Sequence, residues 1–352
     1  MGATQVAISS FWTKAPATPF APEAFDPRSP HHTYAGEWLP AAQAAIGPRR
    51  EAPPFLGTGG EPKPIDVVSL DDLLAWLRDP PKDYCRRVLE LSLPESHESE
   101  DDEPFAQTGL DGYKLCDALL RRLAERPAAD DAWLAQCVRA EGLVRPGRLG
   151  DADARNAIAT ARRLLALRRE RFGAAQPESR LVEREVEGRL LVGRIDDVVD
   201  GLPVRLRAGG ARGPDWLQLA LSAKLLGAES AWFFGREKGD AIVKTLDATL
   251  VPDTLVAEVV GLYVRARAEF QPLTRIASWE YACAASKGPD AAEKVAALAF
   301  APTFRQEGRP VDIDNPHVAL LFRGRVRNAI DDDFATVALD VYGAVAGAVS
   351  DA

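Results

Sequence analysis

From residue 67 the chain reads VVSLDDLLAWLRDPPKDYCRRVLELSLP, and Leu73, Leu74, Trp76 and Leu77 recur at helical spacing. Ser69 stands where an N-cap belongs, and Pro80 with Pro81 stop the run. The pattern predicts one helix there and a second bearing Tyr84 and Leu89. Further helical spacing covers residues 110–125, 130–141 and 151–171. In the last of these Leu164, Leu165 and Leu167 lie opposite Arg162, Arg163, Arg168, Arg169 and Arg171, which gives the helix a basic face.

The periodicity then changes. Residues 180–186, 189–199 and 202–208 are short, Val/Leu-rich segments separated by Glu187-Gly188 and Asp200-Gly201, and read as three strands in a meander. A helix over 216–227 follows Pro214, then strands over 230–235 and 241–247. Helical stretches over 253–270, 279–285, 289–300 and 331–349 complete the chain. Strands set in this order, α-β-β-β-α-β, inside an otherwise helical chain predict an α/β or α+β class.

Residues 14–64 are rich in proline, with aromatics at Phe20, Phe25, Tyr34, Trp38 and Phe55. Each proline removes a backbone donor and disfavours helix in the residue before it, so this segment is expected to be an extended arm that docks on a surface. The GTGG at 57–60 lacks the Lys-Ser/Thr of a phosphate loop and reads as a flexible joint. The acidic run ESHESEDDE, residues 95–103, reads as a solvated loop. The expected organisation is an arm over 1–66 and a domain over 67–352. Within that domain a helical part (67–175) precedes an α/β core (176–250) and a helical remainder (251–352).

Composition narrows the function. The 352 residues are 46% hydrophobic and 27% charged, an ordinary globular balance. Net charge is −9, whereas a protein that coats DNA by itself is basic, so contact with nucleic acid must be local or shared with a partner. Arginine outnumbers lysine 34 to 9, a bias of base composition rather than chemistry. Cys85, Cys116, Cys137 and Cys283 lack zinc-ligand spacing and are expected to be reduced thiols. No apolar run is long enough to span a membrane, and the start lacks a signal peptide, so the expected location is cytoplasmic. His31, His32, His97 and His317 stand in loop-like settings without a nucleophile motif, and no Walker A or GxGxxG occurs.

The strand order resembles the core of the PD-(D/E)xK nucleases. In those enzymes a carboxylate on the second strand and a (D/E)xK on the third hold a divalent ion that activates water. Asp196, in LVGRIDDVV, occupies the first position, with Asp197 beside it. The third strand instead reads Val204-Arg205-Leu206-Arg207, so two cations stand in place of a carboxylate and an amine. Arginine repels Mg²⁺. Asp196 is therefore expected to be an ion-pair partner of Arg205 or a hydrogen-bond acceptor, within a catalytically degenerate core that holds no metal. Two other readings stay open. One is an active nuclease with carboxylates from Asp196, Asp197, Asp312 or Asp314 and the approximate pair Lys244 and Asp247. The other is an unrelated α/β interaction domain.

Three passages carry a more particular resemblance: APATPFAPEAFDPRSPHHTYAGEWLPAA, VVSLDDLLAWLRDPPKDYCRRVLELSLPE with its acidic tail and DDEPF, and LVGRIDDVVDGLPVRLRAGG. With NPHVALLFRG near the end, they resemble the C-terminal part of RecC, the gamma subunit of the RecBCD enzyme (exodeoxyribonuclease V). The resemblance implies a nuclease-like domain without catalytic residues that holds RecB-like and RecD-like partners and guides or splits DNA ends. Mg²⁺ and ATP would be used by those partners, with no cofactor in this chain. Contacts to DNA or partners are expected from Arg162, Arg163 and Arg169. Arg323, Arg325 and Arg327 are expected to join them, since an extended FRGRVR would put all three on one face.

Overall fold

The computed structural model describes residues 18, 20–46, 55–56, 64–93, 109–237, 239–302 and 310–352. The GTGG joint, the acidic run with His97, and most of the segment that links the arm to the domain lie outside the described residues. The chain divides into two compact units, Met1–Pro53 and Pro54–Ala352.

In the first unit the proline-rich segment is not simply extended. It forms 3₁₀ turns at Pro22–Phe25 and Gly36–Trp38 and a helix α1, Leu39–Ile46. Pro22 and Pro40 sit at helix starts, where a missing N–H costs nothing. Thr33 N donates to Ala24 O (2.8 Å), and the His32 and Tyr34 rings meet edge-on at 4.8 Å.

The second unit opens with strand β1, Val67–Ser69, which runs directly into α2, Leu70–Arg78. Ser69 caps that helix by accepting from Asp72 N, as its position predicts. Pro80 and Pro81 do more than stop it. They occupy the first turn of α3, Pro80–Arg87, whose N-cap Asp79 accepts from Lys82 N, and Leu89 falls beyond its end. Three helices follow: α4, Gly109–Glu125; α5, Asp131–Ala140; and α6, Gly147–Phe172. They share a core of Leu115, Leu119, Leu134, Ile158 and Leu164.

Strands β2, Glu178–Val186, and β3, Arg189–Val199, form a hairpin, and β4, Leu202–Leu206, turns back on the end of β3. Both connections are tight turns with two residues at positive φ: Glu187 (52°) with Gly188 (71°), and Asp200 (51°) with Gly201 (78°). That is the twist a two-residue hairpin demands. Then come α7, Gly213–Leu226; β5, Ser230–Glu237; and β6, Asp240–Asp247. The unit ends with helices α8, Leu255–Arg265; α9, Ala277–Ala284; α10, Pro289–Phe300; α11, Pro316–Leu321; and α12, Asp332–Gly347, and with strand β7, Val349–Asp351.

Among the described residues seven strands join one mixed sheet. β2 flanks one side of β3, while β1 (parallel) and β4 (antiparallel) take successive stretches of its other side. The sheet continues through β5, parallel to β4, then antiparallel β6 and β7. The predicted α-β-β-β-α-β order is therefore present, with β1 and β7 added. One sheet face packs on α2, α7 and α8, where Trp76 meets Tyr263 at 5.6 Å and Trp216 meets Phe233 at 5.4 Å. The other face of β4 and β5 receives Phe172 from the end of α6 against Phe234. Helices α9 to α12 build a separate cluster around Phe300, Phe322 and Phe334.

Candidate functional site

The position of Asp196 follows from an irregularity in β3. Arg180 pairs with Ile195 and Glu178 with Val198, so β3 carries one residue more than β2 across this step. The extra length is taken up at Asp197, whose φ is 58°. Ile195 and Val198, three apart, consequently both enter the core with α7, while Asp196 turns to the exposed side. There it lines a shallow groove with Asp71, Leu181, Val192 and Arg194. Its carboxylate accepts from Ser179 Oγ (2.5 Å) and pairs with Arg194 Nε (2.8 Å). The Ser179 bond, then Arg194, hold its pKa below the usual carboxylate value.

The expected Asp196–Arg205 pair is therefore not formed. Arg205 and Arg207 point instead to α7, where Asp215 is only 5% exposed. Asp215 Oδ1 lies 2.9 Å from Arg205 Nε, and Oδ2 takes Arg207 Nη1 and the backbone N–H of Arg212. Arg205 Nη1 also donates to Gln218 Oε1 (3.0 Å), and the Arg207 guanidinium lies over the Tyr113 ring at 5.5 Å. The neighbour of Asp196, Asp197, feels Arg168 and Arg205, but desolvation outweighs both and its pKa is raised. Asp215 is the residue the sequence reading missed. Its signal was the GPD at the start of an apolar helix, an acid at the third helical position, which is also a capping position.

The other carboxylates considered as ligands are dispersed. Asp312 is buried and caps α9, accepting from Ala277 N at 2.7 Å and Ile276 N at 3.1 Å. Burial pushes its pKa up to about 6. Lys244 pairs with Glu237 (3.3 Å) and Asp351 (3.7 Å), while Asp247 accepts from Thr249. Among the described residues no three His, Cys, Asp or Glu side chains come together in a metal-binding group. Buried Cys85 and Cys116 have thiols pushed up to about 11 by desolvation.

The basic candidates divide by location. On α6, Arg162 reaches Asp131 (2.7 Å) and the Ala129 carbonyl, Arg163 reaches Glu170 (3.1 Å), and Arg169 is exposed. The FRGRVR run is not extended. It folds as turns and a 3₁₀ segment, Val326–Asn328, so period-two alternation does not apply. Arg325 packs over Phe322 (4.7 Å) and Phe270 (5.6 Å), while Arg323 and Arg327 are exposed.

Fold and site together define a mixed α/β domain in which Arg205 on β4, Arg207 just past its end and one buried helix aspartate lock sheet to helix. The family model for the RecC C-terminal domain matches residues 65–286. The chain is 26% identical over 310 residues to the RecBCD enzyme subunit RecC of Mycolicibacterium smegmatis, covering 80% of this chain and 27% of that protein. It is 31% identical over 262 residues to the RecBCD enzyme subunit RecC of Mycobacterium tuberculosis, covering 72% and 24%. The chain belongs to the RecC C-terminal domain family. It spans about a quarter of the length of these curated relatives. Among the described residues no helix is long and apolar enough to cross a membrane.

Proposed function

We propose that this chain acts as a non-catalytic, PD-(D/E)xK-like domain of an exodeoxyribonuclease V gamma subunit. It scaffolds RecB-like and RecD-like partners and guides or splits DNA during recombinational repair of double-strand breaks. The observation that carries the reading is the Arg205–Asp215–Arg207 cluster. Where the resemblance to such nucleases would set the third-strand carboxylate and amine, this chain has Arg205 and Arg207, and both engage one carboxylate, Asp215. The strand-two carboxylate, Asp196, is turned outward to Ser179 and Arg194. Mg²⁺ and ATP chemistry then belongs to the partner subunits, in the cytoplasm. Co-expression with a cognate RecB-like subunit tests the scaffold role: the two chains should co-elute through gel filtration. Separate elution at micromolar concentration would refute it.

A further inference from the structure

Strand β2 leaves one edge of the sheet open. Its nine residues, Glu178–Val186, pair with β3 on one side, and among the described residues no strand takes the other. Val186 and Arg189 flank the two-residue turn and exchange backbone bonds, and the alternation of an antiparallel ladder repeats this at Arg184–Leu191 and Val182–Gly193. The N–H and C=O groups of Leu181, Glu183 and Glu185 therefore point to the open edge. The side chains of the same three residues stand on the outer face, opposite Val182 and Val186, which enter the core. On that face Leu181 is 88% exposed, and Val67 (56%) and Leu190 (37%) extend the apolar surface across β1 and β3. Asp71, Glu183 and Glu185 are exposed there and form no ion pair among the described residues, while the Arg194 cation is held by Asp196. A hydrogen-bonding edge of this length beside an exposed leucine is one that natural sheets pair, cover or break up.

We propose that the open edge of β2 takes an extended, cationic segment of a partner protein as a further strand of the sheet. The proposal goes beyond the scaffold role above, since it does not depend on which chain supplies the segment. Main-chain bonds from Leu181, Glu183 and Glu185 would hold it, and side chains directly opposite would select it. Lysine or arginine belongs opposite Glu183 and Glu185, two residues apart, with an apolar residue two further on, opposite Leu181. Charge excludes the other occupants. A second copy overlapping the whole strand, antiparallel about Val182, sets Arg180 against Arg184, and like charges directly opposite are destabilising. A nucleic-acid strand meets the carboxylates of Asp71, Glu183 and Glu185 with no cation left to neutralise its phosphates.

Fluorescence anisotropy and hydrogen–deuterium exchange of the full 352-residue chain with a labelled nonapeptide of alternating lysine and valine test the proposal. The peptide should bind saturably and slow exchange within residues 178–186, where the edge amides gain acceptors. L181P removes an outward N–H and none that β3 uses, and it should bind about tenfold or more weakly. E183K/E185K keeps the backbone ladder, tests the charge argument separately, and should lose a similar factor of about ten. Thermal melting checks that both variants fold. A control with the same charge change on α4 and α10, E125K/E293K, should bind like the parent. No saturable binding by the parent, or protection outside β2, would overturn the proposal. So would equal binding by folded L181P or by E183K/E185K, equal loss in the control, equal binding of a glutamate–valine peptide, or a chain dimer that E183K/E185K alters. Peptide binding without a RecB complex would sink the scaffold role alone; an intact complex without peptide binding would sink this proposal alone.

Discussion

Asp215 Oδ1 sits 2.9 Å from Arg205 Nε, so a carboxylate at the start of α7 is the counter-charge of an arginine on β4. Arg207, two residues further along that chain segment and on the same face, shares it. One anion balances two partly buried cations. Its removal leaves both uncompensated, which costs more than the pairing itself is worth. Because Arg205 is about one-third exposed, D215N is expected to cost ~2–4 kcal/mol, toward the lower side of the range for broken buried pairs. Urea denaturation measures this, and a variant with hydrophobic replacements at Arg205, Arg207 and Asp215 together should recover much of the loss.

Asp196 should behave oppositely. Both it and Arg194 are exposed, so D196A is expected to change stability by less than about 1 kcal/mol. Millimolar Mg²⁺ should leave the Tm of the parent and of D196A equally unmoved. A Mg²⁺-dependent rise confined to the parent would show that the carboxylate holds an ion.

Asp312 gives the fold a pH dependence. Its native pKa of about 6 lies above the ordinary carboxylate value of 3.8, so the native state binds its proton more tightly than the unfolded chain. Stability relative to D312N should therefore rise as pH falls from 7 through 6 toward 4, by on the order of 1–3 kcal/mol. Paired urea titrations at pH 7 and pH 4.5 give the difference, and a constant gap would contradict the assignment.

Gly193 lies where β3 crosses the start of α2, and an added Cβ would collide with Leu70 Cβ. Both are backbone-anchored, so neither side can give way by a rotamer change. G193A is expected to cost ~1–3 kcal/mol by overpacking. Chemical denaturation against G188A, a change at a turn position with open space around it, separates collision from the strain of a positive φ.

The hairpin, the helices and the α-β-β-β-α-β order were legible because each rests on local signals: alternation, helical spacing, Ser69 as a cap, and the Glu187-Gly188 and Asp200-Gly201 turns. The three-residue strands β1 and β7 were not, since Val67–Ser69 and Val349–Asp351 are too short to alternate and owe their pairing to distant partners. The prolines after Asp79 read as a stop because the same residue that ends one helix also starts the next. At the candidate site the sequence placed Asp196, Arg205 and Arg207 on adjacent strands, but the bulge at Asp197 fixes which face each occupies. A bulge has no dependable mark in a single sequence. Asp215 lay beyond the third strand, where nothing in the motif directed attention. The FRGRVR expectation failed for a similar reason, because aromatic rings at Phe270 and Phe322 fold that run around Arg325.

The most direct measurement is a nuclease assay of the purified chain on linear double- and single-stranded DNA, with Mg²⁺ and with Mn²⁺, beside D196A. The account predicts no cleavage by either protein. Cleavage by the parent that disappears in D196A would contradict it, showing a working metal site at the carboxylate that Ser179 and Arg194 hold in this structure.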